Sequence, residues 1–95
     1  LKGSTTLVAA ADGPVRANPT GTGWLATAGT GDVLSGLTAS LLAAGLEPRD
    51  AASAGAYLHG LAGRLAAGRT GAPVGASDVA AALVTAWRDV ASATA

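Results

Sequence analysis

Leu25-Ala26-Thr27-Ala28-Gly29-Thr30-Gly31-Asp32-Val33-Leu34-Ser35-Gly36 passes from a glycine-rich loop into helical spacing within a few residues. After Asp32 the apolar residues Val33, Leu34, Leu37, Leu41 and Leu42 recur at three- and four-residue steps, and Gly45 ends the run, so an amphipathic helix follows the loop directly. The first turn of a helix has backbone N–H groups without intrahelical acceptors and carries the positive end of the peptide dipoles, while flanking glycines let an anion approach the backbone closely. Thr30-Gly31-Asp32, at the start of the helix, therefore forms a local anion site suited to a phosphate.

Upstream, Thr5 to Ala11 is a β-branched and aliphatic run, Asp12-Gly13-Pro14 is a turn signal, and Val15-Arg16-Ala17 follows, which predicts a short hairpin. Asn18-Pro19-Thr20-Gly21-Thr22-Gly23 is an irregular loop, because proline biases Asn18 away from helix and two glycines follow. Downstream, a second helix begins near Pro48 and runs through Leu58, Leu61 and Leu65 towards Gly68. Gly55, Gly60 and Gly63 inside it each cost roughly 1 kcal/mol relative to alanine, which points to a neighbouring helix packed close against them. Arg69 to Gly75 is a loop, Ser77 is the expected N-cap of a third helix, Val79, Leu83, Trp87 and Val90 form its stripe, and Ala91 to Ala95 fray.

Ninety-five residues hold one small domain at most, and at that size only about 60–65 % of the unfolded chain's surface is buried. The apolar residues are mostly Ala, Leu and Val, with two Trp, one Tyr and no Phe, a composition suited to closely packed helices. Net charge is zero and 13 % of residues are charged, so there is no broad footprint for nucleic acid or an anionic membrane surface. With no cysteine, disulfides, thiolate metal sites and thiol catalysis are excluded. No secretory signal pattern and no apolar run of membrane-spanning length occurs. The chain opens on Lys2-Gly3 directly before a strand-like run, which leads to the expectation of a segment of a longer domain.

Asp32 is unusual for a passive anion site, since its charge repels a neighbouring phosphate. Held near a hydroxyl nucleophile it makes sense as a base, with the amides of Thr30 and Gly31 stabilising charge on a transferring phosphoryl group. An aspartate in a first turn also stabilises the helix dipole by about 0.3–1 kcal/mol, so Gly29-Thr30-Gly31-Asp32 alone leaves both readings open. Neither GxxxxGK[ST] nor GxGxxG is present, which removes the P-loop and dinucleotide-fold readings.

Lys2-Gly3-Ser4-Thr5-Thr6, the stretch LATAGTGDVLSG from Leu25 to Gly36, and Tyr57-Leu58-His59-Gly60 together resemble the C-terminal part of the NAD(P)H-hydrate dehydratase family, within the ribokinase-like superfamily. The resemblance covers most of the chain and is least specific after Gly68. It implies an α/β fold class: residues 1–95 as the C-terminal fragment of one ribokinase-like three-layer α/β/α domain, here a short β-hairpin followed by about three α-helices. It further implies that Lys2, Gly3, Ser4, Thr5 and Thr6, with Gly29, Thr30 and Gly31, bind the nucleotide, and that Asp32 contacts the substrate and acts as the catalytic base.

The implied reaction is metabolite repair by a cytoplasmic lyase. A hydroxyl on the damaged nicotinamide ring of (6S)-NADHX or NADPHX is phosphorylated by ADP or ATP and then lost as phosphate, regenerating NADH or NADPH. ADP is preferred by resemblance, and any Mg²⁺ would be held by ligands outside this segment, none of its own residues being assigned to metal. The resemblance leaves room for a homo-oligomer. Two other readings stay open: a ribokinase-like small-molecule kinase that stops at the phosphate ester, and an inactive partial domain serving as a helical packing module.

Lys2 on its own reads as a solvated strand-end lysine, and the small and hydroxyl residues after it favour phosphate contact instead. His59, the only histidine, lies among alanines and glycines with no second His or carboxylate at helical spacing, which favours a packed or hydrogen-bonded structural role over a metal or acid–base role. Asp50, Asp78 and Asp89 read as caps or solvated charges, and Trp24 and Trp87 as packing or surface anchors.

Overall fold

A computed structural model describes residues 5–94 as a hairpin followed by three helices. Strand β1 (Thr6–Val8) pairs antiparallel with β2 (Arg16–Asn18), with Leu7 opposite Ala17. The run expected from Thr5 to Ala11 is paired over only three residues. Continuing the observed register beyond Val8 and Arg16 would set Pro14 against Ala10, and proline has no N–H to donate to the ladder. Two ion pairs tie the hairpin to the second helix: Arg16 meets Asp50 at 2.8 Å and also donates to Ser53, and Arg49 reaches the carboxylate and carbonyl of Asp12.

Asn18, expected to open the irregular loop, is instead paired with Thr6 as the last residue of β2, so the loop covers residues 19–22. A short 3-10 helix (Gly23–Ala26) follows it and leads into α1 (Thr30–Ala43), α2 (Pro48–Ala67) and α3 (Ala76–Thr94). The span of α2 is the expected one: Pro48 stands in the first turn, where its missing N–H costs nothing, and Gly68 terminates it. The start of α3 differs from the expectation of a Ser77 cap. The Gly75 carbonyl accepts from Asp78 and Val79 amides, and the Gly75 amide donates to the Asp78 carboxylate at 2.8 Å. Asp78 thus reaches back to the residue that starts the helix, as the acidic member of a capping box does, and Ser77 lies within the first turn. The end of α3 also persists as helix through Thr94 where fraying was expected, with Val90 packed on the core.

The core sits between α2 and α3, built on Leu58, Ala62, Ala67, Val74, Val79 and Ala86, with Leu25, Val33 and Leu37 packed against it from the α1 side. Trp87 does not join the buried stripe of α3: it is 57 % exposed, whereas Ala86 is fully buried. At 100° per residue, position 86 returns to within about 20° of Val79, and position 87 lies about 80° away.

The three glycines of α2 each receive a different neighbour. A Cβ on Gly55 would stand 2.5 Å from Thr38 Oγ1 of α1, one on Gly63 would stand 2.8 Å from Leu25, and one on Gly60 would stand 2.1 Å from Thr20 Oγ1 and 2.8 Å from the Gly21 backbone nitrogen. Only Gly55 faces a helix, as expected. Gly60 and Gly63 instead seat the loop and the 3-10 helix that precede α1. The Thr20 hydroxyl, lodged over Gly60, donates to the Tyr57 carbonyl at 3.2 Å, and Arg64 donates to the Pro19 carbonyl at 3.1 Å.

Gly60→Ala is expected to destabilise the fold by about 1–3 kcal/mol, because backbone stands in the path of the new methyl group. Gly36→Ala, whose Cβ meets open space on an exposed turn of α1, is expected to stabilise it by roughly 0.5–1 kcal/mol. Thermal unfolding followed by circular dichroism measures both, and equal melting temperatures would mean that the Gly60 contact is not needed.

Candidate functional site

Gly29 turns the chain into α1 with φ +89° and ψ −11°, a left-handed conformation that glycine adopts without penalty, and a Cβ placed there would lie 3.1 Å from Ala76 Cβ at the start of α3. Thr30 follows with its side chain turned inward and only 3 % exposed; its hydroxyl lies within hydrogen-bond reach of the carbonyls of both Leu25 and Thr27, which share its one proton. The Thr30 amide donates to the Thr27 carbonyl at 3.3 Å, and the helical ladder begins with the Val33 amide donating to Gly29 at 3.2 Å.

Between those two bonds lie the amides of Gly31 and Asp32, which have no protein acceptor among the described residues. The expectation placed the open pair at Thr30 and Gly31. The inward turn of Thr30 moves it one residue along the chain. Gly31 and Asp32 are both exposed, and nothing lies within 4 Å of the space where a Gly31 Cβ would be. Two unpaired amides at the positive end of α1, with room for close approach, fit an oxyanion, and the Asp32 carboxylate stands on the same turn.

Around this turn the chain is tied down from three sides. The Trp24 indole N–H donates to the Gly71 carbonyl, fastening the 3-10 helix to the loop between α2 and α3, and the Thr27 hydroxyl donates to the Trp24 carbonyl at 2.7 Å. On the far end of the turn, Ser35 donates to the Gly31 carbonyl at 2.9 Å. From below, His59 of α2 places Nε2 at 2.9 Å from the Thr30 carbonyl, with the ring 1 % exposed. A carbonyl only accepts, so Nε2 carries the proton. The structural role expected for His59 is thus met, but its position directly under the glycine loop was not visible in the sequence.

Of the upstream residues expected at the nucleotide, Lys2, Gly3 and Ser4 lie outside the described residues. Thr5 is exposed and Thr6 is buried at the start of β1. Thr6 lines a shallow cleft together with Leu34 and Thr38 of α1 and Ala52 and Ala56 of α2. Among the described residues no group of three or more His, Asp or Glu is placed to hold a metal ion, and no helix is long and apolar enough to cross a membrane.

A strand hairpin, a glycine loop opening a helix, and two further helices make this an α/β segment of ribokinase-like type. The chain belongs to the NAD(P)H-hydrate dehydratase family, whose model matches residues 1–85. It is 55 % identical over 71 residues to the bifunctional NAD(P)H-hydrate repair enzyme Nnr of Moorella thermoacetica, a match covering 75 % of this chain and 13 % of that protein. It is 55 % identical over 62 residues to the ADP-dependent (S)-NAD(P)H-hydrate dehydratase of Neisseria meningitidis serogroup B, covering 65 % of this chain and 21 % of the relative. With the enzyme of the same name from Haloterrigena turkmenica it shares 46 % identity over 69 residues, 73 % of this chain and 27 % of the relative. The chain therefore spans roughly an eighth to a quarter of the length of these curated relatives. No solved structure matches it.

Gly29→Ala is expected to cost about 1–2 kcal/mol, since an L side chain is strained at this positive φ and meets Ala76 as well. Gly31→Ala, with open space around its Cβ, is expected to change stability by less than about 0.5 kcal/mol. Denaturant midpoints of the two variants provide the comparison, and a Gly29 variant as stable as the parent would remove the need for a left-handed residue at the loop.

Proposed function

We propose that this chain contributes the catalytic turn of an enzyme that dehydrates (6S)-NADHX and NADPHX to NADH and NADPH, with ADP as phosphoryl donor. The observation that carries the reading is the open pair of amides at Gly31 and Asp32 on the same exposed turn as a carboxylate. Family membership and relatives named as ADP-dependent dehydratases support the choice of substrate and donor. Residues 1–95 form the C-terminal part of one ribokinase-like domain in this proposal, with the remaining contacts supplied by other parts of that domain.

In the proposed reaction Asp32 takes the proton of the ring hydroxyl as its oxygen attacks the terminal phosphorus of ADP, and AMP leaves. The Gly31 and Asp32 amides hold the charge that accumulates on the phosphoryl oxygens. The C–O bond of the phosphate ester then breaks, phosphate departs with the bonding pair, the neighbouring ring carbon loses a proton, and the double bond formed between the two carbons restores the reduced nicotinamide ring. Gly29 shapes the loop for close approach, Thr30 acts through its inward hydroxyl to hold that shape, and Lys2, Gly3, Ser4, Thr5 and Thr6 contact the nucleotide from the strand side. Mg²⁺, when bound, neutralises phosphate charge through ligands outside this segment. A cytoplasmic location is part of the same proposal.

The complete enzyme incubated with hydrated NADH and ADP is expected to restore the NADH absorbance; phosphorylation of a sugar or other alcohol without that recovery would reverse the assignment. Asp32→Asn in the same enzyme is expected to lower kcat by roughly 10²–10⁴-fold with ADP affinity kept within a few-fold, as loss of a general base requires. A near-normal rate in that variant would exclude the role.

A further inference from the structure

We propose that His59 is a positioning residue that aims the Gly31 N–H at the anion by clamping the peptide plane between Thr30 and Gly31. The inference rests on the functional reading above for what the anion is, and on the geometry of α2 and α1 for the clamp itself.

Among the described residues Thr6, Thr30 and His59 are the buried polar ones, and two of them meet through the 2.9 Å contact of His59 Nε2 with the Thr30 carbonyl. His59 and Val79 are the largest side chains with essentially no exposure, so the imidazole is set in the interior where a polar group is expensive without a partner. The residue it holds belongs to the opening turn of α1. A carbonyl in that position has one lone pair directed along the helix and a second available to a side-chain donor.

The consequence lies in the geometry of the peptide unit. The Thr30 C=O and the Gly31 N–H belong to one planar trans group and point in opposite directions. With the carbonyl drawn down onto α2 by His59, the Gly31 N–H is directed away from the interior, on the exposed side where it has no protein acceptor. Glycine at position 31 gives such a clamp its use, because a peptide followed by glycine is freer to rotate than one followed by any other residue. The Thr30 hydroxyl holds the preceding part of the loop through the Leu25 and Thr27 carbonyls but does not touch this peptide plane. His59 is the side chain that does so from below, and Ser35 fixes the next carbonyl, that of Gly31, from the exposed side.

α2 is shaped to bring the ring there. Gly55, Ala56, Ala62 and Gly63 lie three and four residues to either side of His59 on the same face, and all are buried. Larger residues at these positions would hold α2 away from the loop and lengthen the contact.

The test compares His59→Leu, which removes the donor at similar bulk, with His59→Gln, whose amide N–H can reach the same carbonyl, both in the complete enzyme. His59→Leu is expected to lower kcat with ADP by roughly 10- to 100-fold while KM for hydrated NADH moves by less than about three-fold, and His59→Gln is expected to recover most of the loss. Equal impairment of both variants, or no loss in either, would overturn the clamp. In the unaltered protein, nitrogen NMR is expected to show a slowly exchanging His59 Nε2 proton; its absence also overturns the proposal, even if His59→Leu does not fold. Failure of the functional reading is visible separately, as a parent enzyme that does not restore NADH.

Discussion

Helix α2 must come within contact distance of three different pieces of chain, and the residues that allow it are those with no side chain to interfere. Gly55 admits Thr38 of α1, Gly63 admits Leu25 of the 3-10 helix, and Gly60 admits Thr20 and the backbone of Gly21. Each glycine weakens the helix taken alone. The packing of Leu58, Ala62 and Ala67 against α3 offsets that cost, and the loop leading to α1 is carried on the surface so formed. If this face were bulkier, the 3-10 helix, the glycine loop and the first turn of α1 would all shift together.

The site depends on this packing because its working parts are backbone groups. An exposed carboxylate such as Asp32 can be supplied by almost any helix start, but two amides left open on one turn keep their positions only while the peptide planes before and between them are fixed. Thr30 fixes the approach by turning its hydroxyl inward, Gly29 supplies the left-handed turn, and His59 holds the carbonyl on the opposite side of the plane. The small and β-branched residues of the loop thus serve geometry more than direct contact. Family membership is consistent with such a division, since the stretch matched by the family model, residues 1–85, includes both the loop and the part of α2 that supports it.

Much of the fold was legible before any coordinates. The limits of α2 followed from Pro48 and Gly68, and the hairpin and the helix after the glycine loop followed from turn residues and apolar period. Departures occurred where a competing partner decided the outcome. The Asp78 carboxylate captured the Gly75 amide and moved the start of α3 ahead of Ser77. Trp87 fell outside the buried stripe because Ala86 and Val90 already face the core. β1 stopped at Val8 where Pro14 could not continue the ladder.

Local spacing and composition already specify that a glycine loop opens a helix, that Asp32 stands in its first turn, and that the interior is built from small aliphatic residues. Tertiary structure decided which amides stay open, moving the pair from Thr30 and Gly31 to Gly31 and Asp32, and it decided that His59 lies beneath them. The physical reason is separation along the chain. Thr30 and His59 are 29 positions apart, and no periodicity within either helix specifies that one ring nitrogen of α2 will meet one carbonyl of α1.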